Sequence, residues 1–338
     1  MNIQTNYSLT DLNTFGVNVA SKYFVEVFST TELKEVLADK ILLNNKWLIL
    51  GGGSNILFTK NFDGLIIKNS ISGITVISEN DREVFIEAGA GVNWDKLVEY
   101  CVNNNYGGIE NLSLIPGSVG AAPVQNIGAY GQELKDSFCE LTGIYINTGE
   151  EQTFSKTECK FEYRNSIFKN ELRNEFAITS IQLKLNKNPD VILSYLQVKD
   201  EISTRNIFTP TISDVRNAVI DIRNAKLPDP KKIGNAGSFF KNPVVDLIGI
   251  HSLKEKFPDI KSFPEGKDKF KISAAWLIEK CGWKEKIIRD AGVYLKQPLV
   301  IVNYGSASGN DIHELAKKIR ASVEKKFDIT LENEVNII

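Results

Sequence analysis

The chain has 338 residues, of which 42% are apolar and 24% charged, with a formal net charge of −2. That length calls for two or three domains of an ordinary globular type, and the balanced charge, with no long basic run, argues against a general nucleic-acid surface. No apolar stretch approaches the roughly 20 residues of a membrane span, and Met1–Tyr7 lacks the basic start and apolar core of a secretion signal, so a cytoplasmic protein is expected, with no membrane or nucleic-acid partner. Cys101, Cys139, Cys159 and Cys281 form no Cys-x-x-Cys pair and predict free thiols rather than a zinc site or disulfides. His251 and His313 are the only histidines, which leaves no set of histidine ligands for a metal.

Residues 23–28 read as a strand. Ser29 and Glu32 then fit a capping box before a short helix with Leu33, Val36 and Leu37 on its apolar stripe. Residues 47–50 form a buried strand that runs straight into Gly51-Gly52-Gly53-Ser54-Asn55, and strand-like runs follow at 56–58 and 64–67. In a dinucleotide-binding Rossmann fingerprint the glycines open a helix. Here they join strand to strand, which disfavours that fold and leaves a phosphate-cradling turn open. Residues 71–92 read as two strands around a polar turn, and Asn93 caps a helix bearing Trp94, Leu97, Val98 and Cys101.

Residues 115–131, Ile-Pro-Gly-Ser-Val-Gly-Ala-Ala-Pro-Val-Gln-Asn-Ile-Gly-Ala-Tyr-Gly, hold four glycines and two prolines and carry no charged side chain. Such a segment brings bare backbone close to something flat or phosphorylated, and a tight structural turn is the alternative. With Gly51–Asn55 it could clamp a pyrophosphate, as a dinucleotide such as FAD requires. Strands are expected at 140–147, 159–164 and 176–185, and 186–210 reads as a polar linker or insertion.

Thr211 or Ser213 caps a helix with Val215, Ala218, Val219 and Ile222, stopped by Leu227-Pro228-Asp229-Pro230. Further helices are expected over 272–280 and from Asp311 onward, and 329–338 alternates as a closing strand with Glu332 and Glu334 on its polar face. Three side-chain candidates stand out beside the glycine-rich loops. Ser238 sits in Gly234-Asn235-Ala236-Gly237-Ser238, where an ordinary turn serine is the alternative; it lacks the Gly-x-Ser-x-Gly frame of a hydrolase elbow. Arg164, on the polar face of the expected 159–164 strand, could clamp a carboxylate or phosphate, or lie on a solvated charged face. Glu332 and Glu334 have the same bland alternative.

These features together resemble the UDP-N-acetylenolpyruvoylglucosamine reductase (MurB) family. The matching segments run in order along the chain: Asn13-Thr14-Phe15-Gly16, Gly51–Asn55, 115–131, Tyr163-Arg164-x-Ser166-x-Phe168-Lys169, Lys226-Leu227-Pro228-Asp229-Pro230, 234–243, Ala274-Ala275-Trp276-Leu277-Ile278 and Leu331-Glu332-x-Glu334-Val335. The resemblance implies an α+β fold: an FAD-binding part of the vanillyl-alcohol oxidase type, made of two α+β subdomains, plus a C-terminal α+β substrate domain. The implied division is 1–68, completed by a strand at 329–338; 69–208, with an insertion at 187–210; and 209–328. The insertion, with Tyr195, looks like that of the family's longer subtype, in which a tyrosine closes over the substrate. One departure is Asn336, where the family usually has a basic residue after Glu-Val.

The implied activity is reduction of UDP-N-acetylglucosamine enolpyruvate to UDP-N-acetylmuramate, with FAD as cofactor and NADPH as hydride donor, in bacterial peptidoglycan synthesis. By resemblance, Ser238 donates the proton, Arg164 binds the substrate carboxylate, and Glu334 orients or replenishes the proton. FAD would be held by Gly51, Gly52, Gly53, Ser54 and Asn55, by Pro116, Gly117, Ser118, Gly120, Ala121 and Ala122, and by Asn126, Gly128, Ala129 and Tyr130. Tyr195, Lys226, Asn242 and Gln297 would contact the sugar nucleotide. A monomer is expected. An FAD-dependent oxidase of the same fold would have no reason to keep Ser238, Arg164 and Glu334 together, and a binding module would show no turnover.

Overall fold

The computed structural model describes residues 2–338, apart from the side chain of Leu43. The chain divides into two compact units, neither continuous in sequence. The first combines residues up to Tyr7 with Ser21–Gly53 and Asp63–Ala225; the second combines Ser8–Ala20, Ser54–Phe62 and Lys226–Ile338. The first glycine-rich turn is thus divided after Gly53, and the helix Ile212–Lys226 lies almost wholly in the first unit.

In the first unit, a four-stranded sheet has the order Gln4–Ser8, Ala20–Val27, Phe62–Asn69, Lys46–Leu50. Its last two strands run parallel, and its core side packs Val25, Val27, Leu65 and Ile67 against Leu33, Val36 and Leu37 of the helix Thr30–Leu37. Ser29 caps that helix by accepting the Glu32 N–H, while the Glu32 carboxylate reaches one residue further back than a capping box requires, to the Phe28 N–H at 2.7 Å. A second, five-stranded antiparallel sheet has the order Glu151–Ser155, Phe138–Tyr145, Phe176–Asn186, Glu83–Gly89, Ile74–Glu79. The helix Trp94–Asn103 buries the predicted Trp94, Leu97, Val98 and Cys101 in the same core. Burial pushes the Cys101 and Cys159 thiols up to about 12, so neither is a nucleophile at neutral pH.

In the second unit, the four-stranded sheet Gly234–Ser238, Val300–Asn303, Ala291–Val293, Ile287–Ile288 is accompanied by a three-stranded one, Val244–Asp246, Lys269–Ile272, Ser262–Pro264. The helix Gly309–Phe327 buries Ile312, Leu315, Ala316, Ile319 and Val323. With mostly antiparallel sheets and helices set apart from them, the α+β expectation holds. Among the described residues no helix is long and apolar enough to cross a membrane.

Four local expectations are corrected. Residues 159–164 are not a strand: Glu162 and Asn165 exchange backbone hydrogen bonds around a tight Tyr163-Arg164 turn, with Arg164 at φ +53. The 186–210 stretch is not wholly irregular. Leu196–Thr204 is helical, and its Val198 and Ile202 pack on Val215, Ala218, Val219 and Ile222, an apolar stripe too short to be seen without its partner. The helix expected from Asp311 begins at Gly309, capped by Ser308, and Asp311 closes the capping box. The alternating C-terminus reduces to Asn336–Ile337, parallel to Ile56–Leu57 in the second unit, because Leu331–Val335 is bonded to residues 239–241 at a few points rather than along a ladder.

Candidate active site

In the first unit the two glycine-rich segments meet backbone to backbone. A Cβ on Gly52 would lie 2.8 Å from the Gly117 Cα, and one on Gly51 would overlap the Ser118 hydroxyl. Only glycine allows that approach. The meeting is fixed from behind. Trp94 N–H donates to the Gly117 carbonyl (3.0 Å), Val119 N–H to Val92 (2.8 Å) and Gly120 N–H to Ala90 (2.8 Å). The Lys68 ammonium donates to the Gly51 carbonyl at 2.7 Å, and burial lowers the Lys68 pKa. The N–H groups of Gly117 and Ser118 stay outside the hydrogen bonding among the described residues.

Further along, Asn126 is fully buried at φ +43. Its amide donates to the Glu133 carboxylate (3.0 Å) and the Glu162 carbonyl (3.1 Å) and accepts the Lys135 N–H (3.0 Å). Its side chain therefore shapes the loop instead of facing outward. Gly128–Ala129 pairs with Gln132–Glu133 across a two-residue turn, Tyr130 and Gly131, both with positive φ, the geometry of a type I′ hairpin. The Tyr163-Arg164 turn docks here. Arg164 donates to the Gly128 carbonyl at 2.6 Å, and the Ser166 hydroxyl donates to the Val124 carbonyl at 2.8 Å. A left-handed, non-glycine backbone held by its surroundings is the kind of strain that collects at functional sites. Tyr195 stands 41% exposed, edge-on to Tyr130 with ring centroids 5.4 Å apart.

In the second unit, Ser238 and Glu334 are on adjacent hydrogen-bonded segments. The Glu334 N–H donates to the carbonyl of Phe239, the residue after Ser238, at 2.8 Å. The segment carrying Ser238 is fixed on its other side by Phe239 N–H to Leu299 O (2.8 Å). The Asn235 amide accepts the Gly237 N–H (3.0 Å) and donates to the Ile233 (2.9 Å) and Pro228 (3.1 Å) carbonyls, and this buried clip shapes the turn into Ser238. Asn55, at the end of the first glycine-rich turn, donates to the Glu334 carbonyl at 3.1 Å. Asn336 donates to the Asn55 carbonyl through both its backbone (3.1 Å) and its side chain (3.0 Å), so the departure from a basic residue serves this clip. Glu332 turns away into an exposed ion pair with Lys241 at 2.9 Å, which separates the two terminal glutamates. Asn242 accepts the Ala274 N–H (2.9 Å) through its side-chain oxygen. Gln297 closes a turn onto Val300 (2.9 Å). Lys226, at the end of its helix, has its pKa lowered by burial.

A curated relative, UDP-N-acetylenolpyruvoylglucosamine reductase of Flavobacterium johnsoniae, is 47% identical to this chain over 339 residues and covers 100% of both. The chain belongs to the UDP-N-acetylenolpyruvoylglucosamine reductase family. Relatives with the same name from Amoebophilus asiaticus and Pseudomonas fluorescens are 46% and 42% identical, again across 100% of this chain. A family model described as the C-terminal domain of this reductase matches residues 229–338, and one described as an FAD binding domain matches 21–155. A crystal structure of the reductase from Thermus caldophilus shares the fold, with a TM-score of 0.69 at 23% identity, covering 99% of this chain and 98% of that one.

The FAD-binding match contains Gly51–Gly53 and all of 115–131. The geometry fits such a group. Two uncharged segments are pressed so close that Cβ atoms would fill the junction, and the N–H groups of Gly117 and Ser118 beside it are not taken up by backbone bonding among the described residues, as a pyrophosphate-binding turn requires. Sequence reasoning missed the supports behind this site. Asp95 accepts from Arg216 at 2.7 and 3.1 Å and from the Leu114 N–H at 2.6 Å. Burial works against the Asp95 carboxylate, but those bonds hold its pKa below the usual range. Arg223, one helical face with Arg216, hydrogen-bonds the Tyr130 phenol. A long-range ion pair leaves no signal in spacing, so none of these could be read from sequence.

Proposed function

We propose that the chain reduces UDP-N-acetylglucosamine enolpyruvate to UDP-N-acetylmuramate in the bacterial cytoplasm, as a step of peptidoglycan precursor synthesis on which cell shape and division depend. FAD, held by the backbone of Gly51–Asn55, 116–122 and 128–130, would supply hydride transfer from NADPH to the terminal carbon, C3, of the enolpyruvyl double bond. The reacting electron pair then rests on C2 and the adjoining carboxylate, and C2 needs a proton.

Ser238 supplies that proton. Its backbone is on a short strand braced on both sides, which limits the reorganisation needed to bring the hydroxyl to the reacting carbon. Glu334, on the segment bonded to Phe239, orients the hydroxyl or returns its proton. Arg164 binds the substrate carboxylate; one NH2 on the Gly128 carbonyl at 2.6 Å holds its fork in orientation. Stabilisation of developing charge of this kind is often worth roughly 3–4 kcal/mol. Tyr195, Lys226, Asn242 and Gln297 contact the sugar nucleotide. The backbone of Gly51–Asn55, 116–122 and 128–130 holds FAD, and Asn126 shapes that backbone.

The observation that carries the reading is the Glu334 N–H to Phe239 carbonyl bond, which sets the segments bearing the proton donor and the carboxylate side by side. The test is an anaerobic titration. Yellow protein should be bleached by NADPH and recoloured by the enolpyruvyl sugar nucleotide. Rapid recolouring by oxygen with none by that substrate would instead mark an oxidase.

A further inference from the structure

We infer that Asn111 is a positioning residue that holds the Tyr195 arm in place for the sugar-nucleotide substrate; this rests on the role given to Tyr195 above. Asn111 is fully buried in the single turn Glu110–Leu112. Its side chain joins two segments far apart in sequence, donating to the Tyr130 carbonyl at 3.0 Å and to the Ile192 carbonyl at 3.2 Å. Both acceptors are carbonyl oxygens, so the amide must turn its NH2 toward them and spend one hydrogen on each. One partner lies in the hairpin turn of the cofactor segment, and the other lies just upstream of Tyr195.

Three other observations place the arm on the same hairpin. The Tyr195 ring packs edge-on to Tyr130. A Cβ on Gly131 would sit 3.1 Å from the Ser194 hydroxyl and 3.8 Å from the Tyr195 Cβ. Val191, Leu193 and Tyr130 pack against the apolar cluster of Val198 and Ile202. Asn111 is the polar fastening in this contact, and its loss would leave two carbonyls without the donor they now share. An arm fastened before the substrate arrives need not be ordered by it, so the effect belongs to binding and not to the chemical step.

The test uses purified, FAD-loaded Asn111→Leu protein. KM for the enolpyruvyl sugar nucleotide should rise about tenfold, the scale of one lost buried hydrogen bond. The kcat, the flavin content and the rate of bleaching by NADPH should stay at wild-type values. In a Tyr195→Ala background the same change should add little to KM. An unchanged KM, an additive rise in the double variant, or an equal loss of NADPH bleaching would each overturn the inference, the last by showing that Asn111 merely supports the cofactor segment. If the leucine variant does not fold, Asn111→Ala removes the same donor with a smaller side chain. A rise in KM alone supports the fastening, and an unchanged KM with full flavin content contradicts it. A wild-type protein that bleaches with NADPH but never turns over the sugar nucleotide removes the functional reading and, with it, this one.

Discussion

The segments 115–131 and 234–243 look alike as strings of small residues, yet the structure uses them in opposite ways. In the first, side chains turn inward: Asn126 is fully buried with its amide committed to three partners, and Ser118 is 6% exposed. Gly52 and Ala121 are exposed, and the N–H groups of Gly117 and Ser118 are not used in the backbone bonding of the segment among the described residues. In the second, the backbone is woven into its neighbours through Thr14, Leu299, Glu332 and Glu334, so what the segment offers a ligand is side chains, Ser238 among them. Glycine serves the first by allowing contact and the second by allowing the turn at Gly237, φ +68. On the proposed reading, one region binds by its shape and the other acts through one placed hydroxyl.

That contrast can be broken at several points. Ser238→Ala should have the largest effect, lowering turnover by about 10²–10⁴-fold, the usual worth of a positioned proton donor, with flavin content unchanged in the absorption spectrum. Arg164→Ala should cost about 10²–10³-fold in kcat/KM. Arg164→Lys should restore little of it, because a lysine keeps the charge but not the fork that spans Gly128 and a ligand. Gly52→Ala should act only on the binding region. Its Cβ meets backbone at 2.8 Å, so the two segments must separate, at about 1–3 kcal/mol, seen as released flavin and a lower Tm.

The smallest effect concerns pH. Asp95 has a folded pKa below its unfolded value of about 3.9. Its pairing with Arg216 therefore contributes fully above that value and is lost as pH falls through the folded pKa. Asp95→Asn should lower stability at neutral pH and flatten the acid limb of the unfolding profile; an acid limb identical to wild type would remove Asp95 from the supports of the cofactor segment.

Much of the local structure around the candidate site was legible because it is encoded in local strings. The absence of charge from 115–131, the strand-turn-strand setting of Gly51–Asn55 and the capped helix after Asn93 all follow from composition and short spacing. Arg164 was legible as a residue but not in its setting: alternation suggested a strand, and the left-handed turn depends on docking to Gly128 and Val124, which no local pattern encodes. The helix Leu196–Thr204 was hidden for a similar reason. Two buried side chains, Val198 and Ile202, make a stripe only when the helix Ile212–Lys226 is present to cover it. Asn111, Asp95 and Arg216 join residues that are distant in sequence, and polar side chains in ordinary contexts give no warning of that.

The most direct test of the division between the two regions is anaerobic stopped-flow of both half-reactions in Ser238→Ala and Gly52→Ala, each rate expressed per bound flavin. The account predicts that Ser238→Ala keeps the NADPH-driven bleaching rate and loses reoxidation by the enolpyruvyl substrate, while Gly52→Ala loses flavin but reoxidises what it retains at nearly the normal rate. If Ser238→Ala lost both half-reactions together, or if Gly52→Ala kept its flavin and lost reoxidation, the assignment of binding to one region and reaction to the other would be wrong.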